Sequence, residues 1–158
     1  MGNLYCIDTS SVIHLRNFPQ GALGPLWELL DSLTQQQRLF APREVLREVA
    51  KQEDVGHAWA QAHRGIFVDA DEEQGAVVGR LQTDYPDLNV PTKPLHADPW
   101  CLALALLRTR GDDACYVINE ERDAKPKLPW LCGRVGLRWA RLLDIPGLEG
   151  LRFTLARE

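Results

Sequence analysis

No two cysteines in this chain form a Cys-x-x-Cys pair. Cys6, Cys101, Cys115 and Cys132 are scattered along it, which argues against a zinc knuckle. Three of them, Cys6, Cys101 and Cys115, sit inside apolar runs, where a reduced thiol behaves as a small hydrophobe. The four histidines, His14, His57, His63 and His96, make no His-Glu-x-x-His pattern and read as structural or exposed residues. No apolar run approaches the roughly 18 residues that a transmembrane helix requires. The N-terminus also lacks a basic region and cleavage site. Together with the unpaired cysteines, this sets the expectation of a cytoplasmic protein with no membrane partner. Repeats, low-complexity tracts and linkers are missing too, so the 158 residues are expected to form one domain, 1–158.

Basic charge is also in short supply overall, with a net charge of −4. That speaks against a protein that coats nucleic acid indiscriminately. The charge is segregated, however. Between Arg122 and Arg141 six basic residues (Arg122, Lys125, Lys127, Arg134, Arg138, Arg141) face a single acid, Asp123, while Asp69 to Asp87 holds six acids and only Arg80. A local basic face of that kind can follow a phosphate backbone even on an acidic protein, which makes Arg134 and Arg138 candidate RNA contacts.

What the chain does contain is alternation. "LYCI" and "ACYVI" are short, unbroken apolar runs, as expected of strands buried on both faces of a parallel sheet. A brief "IFV" is a third candidate strand and "LRWARLL" a final one running into a short helix or turn. Between them "LGPLWELLDSLTQQQ", "APREVLREVAKQED", "VGHAWAQAHRG", "DEEQGAVVGRLQTDY" and "HADPWCLALALLRTRG" carry helical spacing. In the second of these Pro42 is assigned to the first helical turn. In the last, Asp98 opens the helix, with Pro99 in its first turn and Gly111 after its end. "LNVPTKPL" has two prolines and reads as loop, and no element is assigned to the basic, proline-marked "KPKLPWLCG". Strands alternating with helices predict an α/β fold, three layers around a mostly parallel sheet.

In such sheets ligands bind beyond the carboxyl ends of the strands. Asp8 directly follows the first strand, Glu120, Glu121 and Asp123 follow "ACYVI", and Asp98 opens the helix leading into it. Carboxylates gathered at one edge repel and call for a cation. All-oxygen donors select a hard ion, Mg²⁺ or Mn²⁺. Glu44 and Glu48, four residues apart and so on one helical face, are alternatives for a fourth carboxylate.

These stretches resemble the motifs of the PIN-domain family. "YCIDTSSVIHL" is similar to its opening strand, Asp and small hydroxyl residue. "PREVLREV" resembles the second motif, with Glu48 the better match, and "HADPWCLALAL" the third. "VINEERDA" stands where the family usually has Thr-x-Asp-x-Asp, so Asn119, Glu121 and Asp123 take those places. The likeness runs from residue 4 to about 143, and with "LPWLC" downstream it is closest to a little-characterised bacterial PIN subfamily.

The resemblance implies a metal-dependent endoribonuclease. Asp8, Asp98 and Glu121 would hold Mg²⁺ or Mn²⁺, Glu48 would complete the site, and Ser10, Asn119 and Asp123 would support it. Bacterial PIN proteins of this size are often toxins, which implies an antitoxin partner and a homodimer. The alternative within the same family is a PIN fold that binds RNA or protein without cutting. Two other classes are disfavoured. A haloacid-dehalogenase-type phosphatase would carry a second Asp where this chain has Ser10. A phosphate-binding loop would show Gly-Lys-Ser/Thr after the first strand.

Overall fold

A computed structural model describes residues 2–89, 96–109 and 113–152. Five strands, β1 (Leu4–Ile7), β2 (Leu39–Pro42), β3 (Phe67–Val68), β4 (Cys115–Ile118) and β5 (Arg138–Ala140), make one sheet in the order β3-β2-β1-β4-β5. Every pairing is parallel. The helices are α1 (Thr9–His14), α2 (Gln20–Gln35), α3 (Arg43–Val49), α4 (Val55–Ala62), α5 (Glu72–Asp84), α6 (Asp98–Arg108), α7 (Leu128–Val135) and α8 (Ile145–Leu148). This is the three-layer α/β/α architecture that the alternation predicts. No described helix is long and apolar enough to cross a membrane.

The layers follow from strand order and handedness. The chain steps one way across the sheet from β1 to β3, then the other way from β3 through β4 to β5. Right-handed crossovers therefore put α1–α4 on one face and α5–α7 on the other. The pleat sorts side chains accordingly. Tyr5, Tyr116 and Arg138 share one row of the ladder and Cys6, Val117 and Trp139 the next, so they point to opposite faces. On the Cys6 face the thiol lies 3.7 Å from the Cys101 carbonyl of α6, and the Arg108 guanidinium sits 4.8 Å from the centre of the Phe40 ring. All four cysteines are buried and unpaired.

Two elements depart from the sequence expectation. Residues 39–42, "LFAP", form a strand buried throughout. Pro42 ends that strand and stands just outside α3, because a proline whose N–H is not required suits a strand terminus as well as a helix start. The "LPWLCGRV" stretch is a helix, α7. Its Pro129 lies in the first turn, where no N–H is missed, and Gly136, at φ 77°, closes the other end in the left-handed conformation. One close approach holds the first layer together. A Cβ on Gly56 of α4 would meet the Val12 carbonyl oxygen at 2.5 Å, so only glycine lets α4 pack on α1 in this way. Of "LNVPTKPL", residues 90–95 lie outside the described residues, as does Gly111.

Candidate metal centre

The reversal of strand order falls between β1 and β4, and in sheets of this kind a crevice opens there at the carboxyl edge. Asp8 leaves β1 at that point. It caps α1, its Oδ2 accepting from Ser10 N–H at 3.2 Å and from Ser10 Oγ at 2.9 Å. The same Ser10 Oγ accepts from Glu120 N–H at 3.0 Å, so one hydroxyl ties the end of β1 to the loop after β4. The other carboxylate oxygen of Asp8 lies 3.7 Å from Cys101 Sγ. Capping and site geometry are therefore the same contact here. Asp8 starts the helix, and the Ser10 hydroxyl aims its carboxylate.

Asp98 is the first residue of α6, with Ala97 in the capping position. It meets Asp8 and Glu121 so that ligand atoms of the three lie within 4.8 Å of one another. Asp8 is 2% exposed. Burial, followed by the neighbouring Asp98 and Glu121 charges and opposed by Ser10, pushes its pKa up to about 8. Among the described residues no lysine or arginine forms an ion pair with any of the three. A buried cluster of this sign costs stability unless it is protonated or binds a cation. Three convergent oxygens fit a hard divalent ion.

Residues 5–153 match the family described as Domain of unknown function (DUF4411). The chain belongs to that family. No curated protein matches it.

Around the three carboxylates the remaining predicted residues take distinct places. Glu121 Oε2 accepts from Leu128 N–H of α7 at 2.9 Å, which fixes the side chain in the cluster. Asn119 is fully buried. Its Oδ1 accepts from Glu121 N–H at 3.1 Å, an Asx turn that does the work of a hydroxyl at this position. Asp123 is exposed and, among the described residues, makes no hydrogen bond or ion pair through its side chain. The structure does not bring it to the cluster. Glu48 is also outside the cluster of three. Its Oε1 accepts from Ala97 N–H at 2.7 Å, fixing the residue before Asp98. Burial, more than the nearby Asp98 charge, raises its pKa. Glu44 is buried, with Oε2 unpartnered and Arg47 3.9 Å from the other oxygen.

Two site residues escape sequence reasoning. His96, read above as structural or exposed, has Nε2 3.0 Å from Asp98 Oδ2, and that hydrogen bond, against burial, raises its pKa. Its Nδ1 is buried with no partner. The available signal was its place two residues ahead of Asp98. Arg141 donates from Nη1 to the Asn119 carbonyl at 3.1 Å and the Glu121 carbonyl at 2.6 Å, clamping the acidic loop. Nothing in a basic stretch distinguishes such an arginine from its neighbours. The predicted RNA contacts part company. Arg134 lies on α7, whereas Arg138 is on the sheet face of Tyr5 and Tyr116, 5.9 Å from the centre of the Tyr116 ring.

Proposed function

We propose that this protein is a divalent-metal-dependent endoribonuclease of PIN type, using Mg²⁺ or Mn²⁺ to hydrolyse RNA phosphodiester bonds. The observation that carries the reading is the meeting of Asp8, Asp98 and Glu121 within 4.8 Å, from three elements far apart in sequence. These are the positions at which the chain resembles the PIN motifs. A divalent ion held there would supply Lewis acidity and an activated water for in-line attack on a phosphodiester. The chain's own residues do the positioning. Ser10 holds one oxygen of Asp8, His96 holds one of Asp98, and the α7 N-terminus holds one of Glu121, so each of the three side chains is oriented by a contact of its own. Orienting contacts of this kind are what carboxylate metal sites depend on. Glu48 acts at one remove, through Ala97. By the same resemblance the protein is the toxin of a toxin–antitoxin pair, with an antitoxin that covers the acidic crevice and a homodimer as the assembled form.

The test is cleavage of total bacterial RNA by the purified chain with Mn²⁺, with chelator, and after Asp8→Asn or Asp98→Asn. Cutting is expected only from the unmodified chain with metal. Retained cutting by both variants would remove the carboxylates from the chemistry and the reading with them.

A further inference from the structure

The long basic stretch after β4 is interleaved with indole rings, and three of its cations sit on them. Lys125 Nζ is 5.4 Å and Arg134 Cζ 4.9 Å from the centre of the Trp130 ring. Arg141 Cζ is 5.2 Å from that of Trp139. This surface is joined to the carboxylates at two points. The first turn of α7, which contains Trp130, receives Glu121 Oε2 on Leu128 N–H, and Arg141 holds the Glu121 carbonyl. Trp139 points to the face that α7 covers, so both rings and their cations lie on the same side of the sheet. Trp130 and Trp139 are only partly buried, and Lys125 and Arg134 are exposed.

A lone charge patch would grip any polyanion. Cations alternating with accessible aromatic faces have a narrower match, a single strand whose bases are unstacked. Phosphates then meet the cations and bases meet the rings, whereas a duplex keeps its bases stacked inside. We propose that Arg141, Trp139, Lys125, Trp130 and Arg134 form a track that binds single-stranded RNA and leads it to the Asp8–Asp98–Glu121 cluster, with a base stacked on Trp130. This rests on the nuclease reading for the identity of the polymer. A base displaces the cations from the Trp130 ring at little cost, because cation–π contacts at exposed sites are weak beside base–aromatic stacking. Freed, Lys125 and Arg134 pair with the flanking phosphates.

The experiment titrates the full-length Asp8→Asn chain, in chelator, into a labelled single-stranded oligoribonucleotide of about 12 nucleotides, within the span such surfaces cover. A duplex of the same sequence runs in parallel, with anisotropy as the readout. Tighter binding of the single strand is expected. Adding Trp130→Ala should weaken it by about 5- to 150-fold, and Trp130→Phe should restore most of the loss. Arg134→Glu, fully on the surface, should also weaken binding and lower the slope of log affinity against log salt by about 0.7 or more. Arg138→Glu, on the other face of the sheet, should change neither. Preference for the duplex, or indifference to both Trp130→Ala and Arg134→Glu, would overturn the track. If the unmodified chain cuts RNA with metal but binding ignores these residues, the track fails and the nuclease stands. If the track binds as expected but metal never elicits cutting, the reverse holds.

Discussion

The two ends of β1 each carry a partly or wholly buried carboxylate, and they treat it in opposite ways. Near the amino edge Glu149 accepts from Arg38 Nη2 at 2.7 Å and from the Tyr5 hydroxyl at 2.6 Å. Burial raises its pKa, but Arg38 and Tyr5 outweigh that and hold it below the ordinary carboxylate value. The Tyr5 hydroxyl is correspondingly pushed up, first by burial and then by Glu149. At the carboxyl edge Asp8 has hydroxyl and amide donors but, among the described residues, no lysine or arginine partner, and burial followed by Asp98 and Glu121 drives it the other way. A charge that serves the fold is given its counter-ion by the chain. A carboxylate that no lysine or arginine meets among the described residues is open to a counter-ion from outside.

The largest expected effect lies in how the two ends respond to pH. The Asp8 pKa is raised from 3.8 to about 8, so folding favours its protonated form. In chelator that contribution is fully present below about pH 4 and is lost as pH rises towards 8, costing several kcal/mol. Glu149 has the opposite sign, being lowered from 4.5. Its contribution is present above the unfolded value and is lost as pH falls below it. Urea midpoints of the metal-free chain should therefore fall from pH 5 to pH 8, and Asp8→Asn should flatten that slope. An unchanged slope in Asp8→Asn would show that the carboxylates are not coupled as described.

Next comes the external counter-ion. Mn²⁺ at about a hundred times its dissociation constant should stabilise the native chain by about 2.7 kcal/mol, a melting shift of several degrees. Ser10→Ala should weaken Mn²⁺ binding by about 10- to 100-fold, since it releases one oxygen of Asp8. Calorimetric titration measures both. The smallest and most local effect is at the amino edge. Glu149→Gln should cost about 1–3 kcal/mol, with Mn²⁺ affinity unchanged. A loss of metal affinity in that variant would break the separation of the two ends.

Particular residues show where the sequence is legible. Asp8, Asp98 and Glu121 could be read because each lies within three residues of a strand's carboxyl end or opens an apolar helix, and parallel topology sends such positions to one edge. Strand β2 was hidden because its four apolar residues run straight into α3 and look like that helix's lead-in. Helix α7 was hidden by Pro126 and Pro129, which fall before it and in its first turn where proline is tolerated, and by Gly133, which weakens a helix without ending it. Arg141 carries no local pattern, and His96 only its place two residues ahead of Asp98. Their contacts lie at the acidic edge, and only proximity in space gives them meaning.

By itself, then, the sequence determined the class of fold, the order of most elements and the places where acids leave them, because periodicity and capping are local. Tertiary structure decided which acids meet. Asp8, Asp98 and Glu121 converge, Glu48 is drawn to Ala97 instead, and Asp123 stays in solvent. It likewise sent Arg134 and Arg138 to opposite faces, although only four positions separate them. The reason is geometric. A metal ligand or a binding face is defined to within an ångström or two, and that precision comes from strand pairings between residues more than a hundred positions apart, such as Leu4 with Cys115.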